Sequence, residues 1–289
     1  MEPIRTGLVL EGGAMRGLFT CGVLDCFLEN GINFDGAIGV SAGAAFGCNF
    51  KSKQVGRALR YNLKYMGDKR YCSLRSLWKT GDLFNADFCY RRLPDELDPF
   101  DYETYRKNPM EFYAVATDVM TGLPVYKKLV SCDSEDLQFM RASASMPLVS
   151  KPVNINGLKL LDGGISDSVP LKHFENLGYN RNVVVLTQPK DYVKKQSRAI
   201  HFISPLLGKY PNLVLAMQKR PDVYNNQTSR VFTAARAGRV LVICPDEPLG
   251  ISRIEKNHAE LERVYTEGKK IALRRLNEVR AFLNPSCKV

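Results

Sequence analysis

The chain is 289 residues long, 45% hydrophobic and 25% charged, too apolar for intrinsic disorder and long enough to bury a core without a metal or a disulfide framework. Lys plus Arg exceed Asp plus Glu by 41 to 30, a formal charge of +11; nucleic acid, phospholipid headgroups and free anions are all attracted by that charge, so it does not choose among them. The eight cysteines show no C-x-x-C pair and no zinc-finger spacing to histidine, and neither a signal-peptide core nor a membrane-length apolar run is present, which leads to the expectation of reduced buried thiols, no metal and a cytoplasmic location.

Gly7 to Glu11 reads as a short buried strand, followed by the glycine loop Gly12-Gly13-Ala14-Met15-Arg16-Gly17 and a helical pattern from Leu18 to Leu28 that ends at Asn30-Gly31. A second extended run, Ile32 to Val40, reaches Ser41-Ala42-Gly43-Ala44-Ala45, whose small residues suit the first turns of a tightly packed helix. Residues 51 to 79 are strongly basic, with Asp68 as their only acid, and Val55 to Met66 is helical by spacing. Phe112 to Asp118 and Pro124 to Leu129 flank a turn at residues 120–123 and predict a hairpin. Asp133 to Arg141 predicts a helix with an acidic first turn.

Val153 to Leu161 reads as one strand running into Asp162-Gly163-Gly164, and Asn182 to Thr187 as a β-branched strand buried on both faces. Residues 189 to 238 read as mixed helix and loop, Val240 to Cys244 as a last buried strand, and Asn257 to Leu283 as one long charged helix. The order predicts a mostly parallel sheet in one α/β domain with a variable insert.

The sharpest chemical feature is Gly39-Val40-Ser41-Ala42-Gly43, a G-x-S-x-G between a predicted strand and a predicted helix. In a nucleophile elbow the serine occupies a strained turn, and flanking glycines let strand and helix approach closely. The Gly12 loop has two readings. Glycine loops after a strand bind pyrophosphate, and Asp35 stands about where a ribose-binding acid belongs, but Ala14 breaks the G-x-G-x-x-G fingerprint. Beside Ser41, the same backbone N–H groups would suit an oxyanion hole. For a base the chain offers His173, His201 and His258, none in a small-residue turn, and Asp162, between a strand and two glycines.

Together these motifs resemble the patatin-like phospholipases, serine acyl hydrolases with a Ser-Asp dyad. The resemblance runs from Leu8 to Thr187 and includes the segment Arg141-Ala142-Ser143-Ala144-Ser145-Met146-Pro147. It implies a three-layer α/β/α fold with a central, mostly parallel sheet, and a single domain over 1–289 whose core motifs lie in 7–187. It implies Ser41 as nucleophile in an elbow bounded by Gly39 and Gly43, and Asp162 as general base, followed by Gly163 and Gly164. Gly12, Gly13, Ala14, Met15, Arg16 and Gly17 would form the oxyanion hole.

The implied activity is phospholipase A or lysophospholipase hydrolysis without a cofactor. The partners are then a lipid substrate and, peripherally, an anionic membrane surface, with no nucleic acid. Acyl transfer by the same dyad and a non-catalytic anion or nucleotide binder are the alternatives. Ala14 departs from the family's usual third glycine; a positive φ there would strain it. Arg16 would support the loop, meet a lipid phosphate or be solvated. Tyr61, Tyr65, Tyr71, Leu74, Leu77 and Trp78 in the basic segment suit either an interface helix or lid, or a solvated basic face over the core. Leu206, Leu207, Leu213, Val214, Leu215 and Met217 suit an acyl groove or core.

Overall fold

The computed structural model of the chain describes residues 3–197 and 200–284. Strand β1 (Thr6–Leu10) leads through a 3₁₀ turn (Ala14–Arg16) into α1 (Gly17–Glu29), and β2 (Gly36–Val40) leads into α2 (Ala42–Lys51). Helices α3 (Arg57–Tyr65) and α4 (Leu74–Thr80), a π-helical segment (Phe88–Leu97) and α5 (Tyr102–Lys107) precede the hairpin β3 (Glu111–Asp118) and β4 (Pro124–Lys128). Then come α6 (Ser134–Ser143), β5 (Val153–Ile155), β6 (Leu158–Asp162), a 3₁₀ turn (Gly163–Ile165), α7 (Leu171–Asn176) and β7 (Arg181–Val185). The chain continues through α8 (Ile200–Leu206), α9 (Pro211–Arg236), β8 (Val240–Ile243), α10 (His258–Arg274) and α11 (Leu276–Leu283).

The sheet runs β5-β6-β3-β2-β1-β7-β8, with β4 on the other edge of β3. Strands β3, β2, β1, β7 and β8 are parallel, whereas β4, β5 and β6 are antiparallel additions. Side-chain alternation sorts the two faces. Leu8, Leu10, Phe112, Ala114, Val183 and Val185 pack with residues of α1, α2, α6 and α10, while Val9, Ile38, Val40, Val115 and Val184 pack with Phe174 of α7 and Tyr224 and Val231 of α9. The result is the expected three-layer α/β/α arrangement. Helix α10 lies on α1 at glycine contacts: a Cβ on Gly22 would stand 2.0 Å from the Tyr265 carbonyl oxygen, and one on Gly268 2.0 Å from that of Phe19.

One register detail creates the site. On β3, Val115 pairs with Val40, the last residue of β2, and the next residue, Ala116, pairs with Asp162, the last residue of β6. Because β4 occupies the opposite edge at both positions, β2 and β6 share one edge of β3 and run toward each other. Their ends abut, so whatever follows Val40 must meet Asp162.

Several sequence expectations are revised. Val153 to Leu161 is two strands, because Asn156 and Gly157 have φ of 49° and 83° and close a tight hairpin. Asn257 to Leu283 breaks at Arg275 (φ −101°, ψ 6°), whose guanidinium bonds the Val242 carbonyl and Glu278. Residues 189–238 contain the 26-residue α9, which continues through Pro221. Leu213 is core with Val119, Leu161 and Ile165, Leu207 and Met217 pack against it, and Leu206 and Leu215 are exposed; none of them, nor Val214, lines the cavity described below.

Candidate active site

Ser41 occupies the turn between β2 and α2 with φ 55° and ψ −121°, a left-handed backbone that costs an L-residue about 1–2 kcal/mol and persists only when its surroundings impose it. Those surroundings are tight. A Cβ on Gly43 would lie 2.5 Å from the Leu10 carbonyl oxygen, and one on Gly39 2.5 Å from the Gly43 carbonyl, so the helix can start this close to β1 and β2 only with glycine at both places.

The Ser41 hydroxyl donates to Asp162 Oδ2 at 2.7 Å, and Asp162 Oδ1 accepts the Gly164 N–H at 2.7 Å. Both carboxylate oxygens are thus committed, and the carboxylate is fixed in one orientation. Asp162 is 7% exposed. Burial raises its pKa above the ordinary carboxylate range, opposed by the Ser41 hydroxyl, the Arg220 charge, the Gly164 N–H and the Arg253 charge. A raised value makes a carboxylate a stronger base, and a hydroxyl already bonded to it is placed to give up its proton.

The segment Arg141–Pro147 holds both residues from behind. The Ser41 N–H donates to Ser143 Oγ at 2.9 Å, and the Asp162 N–H donates to the Ser145 carbonyl at 2.8 Å. Sequence reasoning quoted these serines as part of a small-residue run and missed what each one does.

The Gly12 loop lies against Ser41: a Cβ on Gly12 would stand 2.9 Å from Ser41 Cβ. Among the described residues the N–H groups of Gly13 and Ala14 have no acceptor, so they are free to bind an oxygen at this place. Ala14 has φ 50°, the strained conformation that its departure from glycine raised. Thr187 Oγ1 donates to the Gly12 carbonyl at 3.1 Å, and Glu11 beneath accepts the Thr187 N–H at 2.6 Å and the Tyr224 hydroxyl at 2.9 Å, which pins the loop to β7 and α9.

Ala14, Met15, Ser41 and Ala42 also line a mostly apolar cavity of about 140 Å³. Its walls include Phe46, Tyr61, Tyr71, Tyr90, Leu93, Phe100, Met140 and Val149. These come from α2, α3, the π-helical segment, α6 and the connecting segments at Tyr71, Phe100 and Val149, whose convergence no local pattern announces.

The other candidates fall elsewhere. His173 stacks on Tyr126 with ring centroids 3.5 Å apart, and His258 is exposed at the start of α10; neither bonds Ser41 or Asp162. The side chain of His201 lies outside the described residues. Asp35 precedes β2 and accepts the Thr6 N–H and hydroxyl at 2.6 and 2.8 Å. It therefore sits at the amino edge of the strands, opposite the Gly12 loop, and the dinucleotide arrangement is not formed. Among the described residues no three His, Cys, Asp or Glu side chains are grouped to hold a metal ion.

The basic segment is partly spent inside. Lys51 bonds the Asn108 and Met110 carbonyls, Arg57 the Asp98 carbonyl, Arg60 pairs with Asp98 and Arg70 with Asp68. Tyr61, Tyr65 and Tyr71 are buried, whereas Leu74 and Trp78, one turn apart on α4, are 77% and 86% exposed. No described helix is long and apolar enough to cross a membrane.

Comparison with known proteins gives the following. The sequence model of the patatin-like phospholipases matches residues 8–174, and that of a domain of unknown function matches residues 210–284. The uncharacterized protein YjjU of Escherichia coli K12 is 32% identical over 197 residues, 65% of this chain and 53% of that protein. Lysophospholipase nte1 of Aspergillus oryzae is 25% identical over 183 residues, 60% of this chain and 11% of that protein. The chain spans about half the length of the first and about a tenth of the second. VipD from Legionella pneumophila superposes with a TM-score of 0.47 at 12% identity, covering 96% of this chain and 67% of that one.

Proposed function

This chain belongs to the patatin-like phospholipase family, and from that premise we propose that it hydrolyses acyl esters of phospholipids or lysophospholipids through an acyl-enzyme on Ser41. The observation that carries the reading is the 2.7 Å bond from the Ser41 hydroxyl to a buried Asp162 carboxylate, at the mouth of an apolar cavity.

As Ser41 Oγ attacks the ester carbonyl carbon, Asp162 takes the hydroxyl proton. The carbonyl oxygen becomes an oxyanion that accepts N–H bonds from the Gly12–Gly17 loop, each such donor being worth about 3 kcal/mol. Collapse breaks the ester C–O bond, and Asp162 returns the proton to the departing alcohol oxygen. Water then attacks the acyl-enzyme with Asp162 again as base, which releases the fatty acid and restores Ser41. One carboxylate serves both halves because burial raises its basicity. The acyl chain lies in the cavity.

The whole chain, 1–289, works as one unit in this reading, and Leu74 and Trp78 rest on an anionic membrane surface with Arg75 and Lys79 beside them. The test is fatty-acid release from lysophosphatidylcholine and from phosphatidylcholine vesicles, compared between wild type and Ser41→Ala. Release that disappears in the folded variant supports the proposal. Equal release by both, or none by wild type from either lipid, overturns it.

A further inference from the structure

Around Glu11 and Asp162 the chain gathers more positive charge than it neutralises. Arg220, on α9, donates through Nε to the Gly164 carbonyl, and its Nη2 would lie 3.3 Å from a Cβ placed on Gly164. The guanidinium therefore stands over the turn that carries Asp162. One helical turn on, the Tyr224 ring carries the Lys194 ammonium, 4.2 Å from its centroid, while the Tyr224 hydroxyl bonds Glu11. The backbone of Lys194 is clamped to α9 by two bonds with Asn225, at 2.8 and 3.0 Å, so the ammonium is held in place. From the other side comes Arg16 of the glycine loop, whose Nε is buried with no partner. Arg253, exposed after β8, adds a fourth positive charge whose field reaches Asp162, Lys194 and Arg220.

Among the described residues neither nearby acid forms a hydrogen bond or ion pair with these cations, although their charges act on one another. Both oxygens of Glu11 are taken by Thr187 and Tyr224, and both oxygens of Asp162 by Ser41 and Gly164. Among the described residues Arg16, Lys194, Arg220 and Arg253 form no salt bridge. Of its five N–H donors Arg220 places only one on the described residues. Burial and then the neighbouring Arg220 charge depress the Lys194 ammonium to a pKa of about 8, with the Glu11 charge opposing them. A cluster of half-buried cations is stabilised by an anion from outside, and a tetrahedral oxyanion with several acceptor oxygens matches guanidinium forks and an ammonium approaching from different sides.

We infer that Arg16, Lys194, Arg220 and Arg253 form a phosphate-binding subsite beside Ser41, and that it receives the headgroup phosphate of the acyl ester. Lys194, Arg220 and Arg253 lie beyond the part matched to the patatin-like phospholipases, which ends at residue 174, and Arg220 and Arg253 fall in the part matched to the domain of unknown function, residues 210–284. The apolar cavity opens on Ser41, and Arg220 stands at the turn of its partner Asp162, so the first suits the acyl chain and the second the charged end. The identity of the ester rests on the hydrolase reading above; the binding of the anion does not.

Two measurements test this. First, inorganic phosphate and glycerol 3-phosphate are titrated calorimetrically into Ser41→Ala protein carrying wild-type Lys194, Lys194→Met or Lys194→Arg. Binding that weakens at least tenfold in Lys194→Met and is restored in Lys194→Arg supports the subsite; no binding by folded protein, or binding indifferent to Lys194→Met, overturns it. Second, with Ser41 intact, kcat/KM is compared for a lysophospholipid and a monoacylglycerol of the same acyl chain. A preference for the phosphate-bearing ester that falls at least tenfold in Lys194→Met supports the headgroup assignment. Phosphate binding with no such preference overturns the headgroup in favour of free phosphate. Phosphate binding by a protein that hydrolyses neither ester overturns the hydrolase proposal and leaves the anion subsite standing.

Discussion

Replacing Ser143 by alanine removes the acceptor of the Ser41 N–H, a bond of 2.9 Å between buried groups. The variant loses the bond and leaves a buried backbone donor unsatisfied, at a cost of about 1–3 kcal/mol. The loss falls on a residue already held at φ 55°, so relaxation of the elbow is the easiest response. An elbow disfavoured by about 1.4 kcal/mol is tenfold less populated in its working geometry. The matched control is Ser145→Ala. Ser145 supports Asp162 through its carbonyl, which survives the substitution, and its hydroxyl bonds only the Arg141 carbonyl at 2.8 Å. Urea unfolding should show Ser143→Ala destabilised by about 2 kcal/mol and Ser145→Ala by under about 1 kcal/mol. The rate of reaction with a fluorophosphonate should fall about tenfold in the first and remain within about twofold in the second. Equal behaviour of the two variants in both assays would refute the assignment of the tether to the Ser143 hydroxyl.

Ala14→Gly relieves a left-handed alanine at φ 50°; part of the gain is offset by the greater freedom of glycine in the unfolded chain, and a net stabilisation of about 0.5–1 kcal/mol is expected in denaturant titration. Activity in the reading above needs Asp162 ionised, so the acidic limb of kcat/KM should lie above the ordinary carboxylate range, rise with pH, and stay put in His173→Asn and His258→Asn; a limb that moves with either histidine contradicts the dyad. The same raised pKa has a stability consequence. Between the unfolded value and the folded one the native state holds the extra proton, so stability declines as pH rises through that window. Asp162→Asn should therefore gain stability over wild type above the window and lose the advantage at pH well below 3.8, as thermal unfolding against pH would show. Trp78→Ser should weaken partitioning onto anionic vesicles by about tenfold in a sedimentation assay, since the exposed indole is the largest apolar group on α4.

How much of this was legible in the sequence depended on distance along the chain. The elbow, the Gly12 loop and the Asp-Gly-Gly turn are local: each needs small residues at fixed offsets, and steric demands such as those at Gly39 and Gly43 are written in adjacent letters. Buried parallel strands were legible for the same reason, as continuous β-branched runs such as Asn182 to Thr187. The β5–β6 hairpin is equally local, since Asn156-Gly157 is itself a turn signal. Helix α9 was obscured by Pro211 and Pro221, which read as breaks. The abutment of β2 and β6 on one edge of β3 is a register fact that no single strand carries. The cation cluster depends on residues 16, 194, 220 and 253, brought together by β1, β7, α9 and the segment after β8, and no spacing rule links them. The same holds for the cavity walls, where Phe46 and Met140 meet across nearly a hundred residues.

The central claim is that Ser41 is a nucleophile activated by Asp162, and the most direct measurement is covalent capture. Wild type, Ser41→Ala and Asp162→Asn, each confirmed folded by circular dichroism, are treated with a fluorophosphonate and digested, and the adduct is located by peptide mass spectrometry. The account expects a single phosphonylated site at Ser41 in wild type, none in Ser41→Ala, and labelling slowed at least a hundredfold in Asp162→Asn. Labelling of Ser41 at an undiminished rate in Asp162→Asn, or an adduct on any other residue that persists in Ser41→Ala, would contradict it.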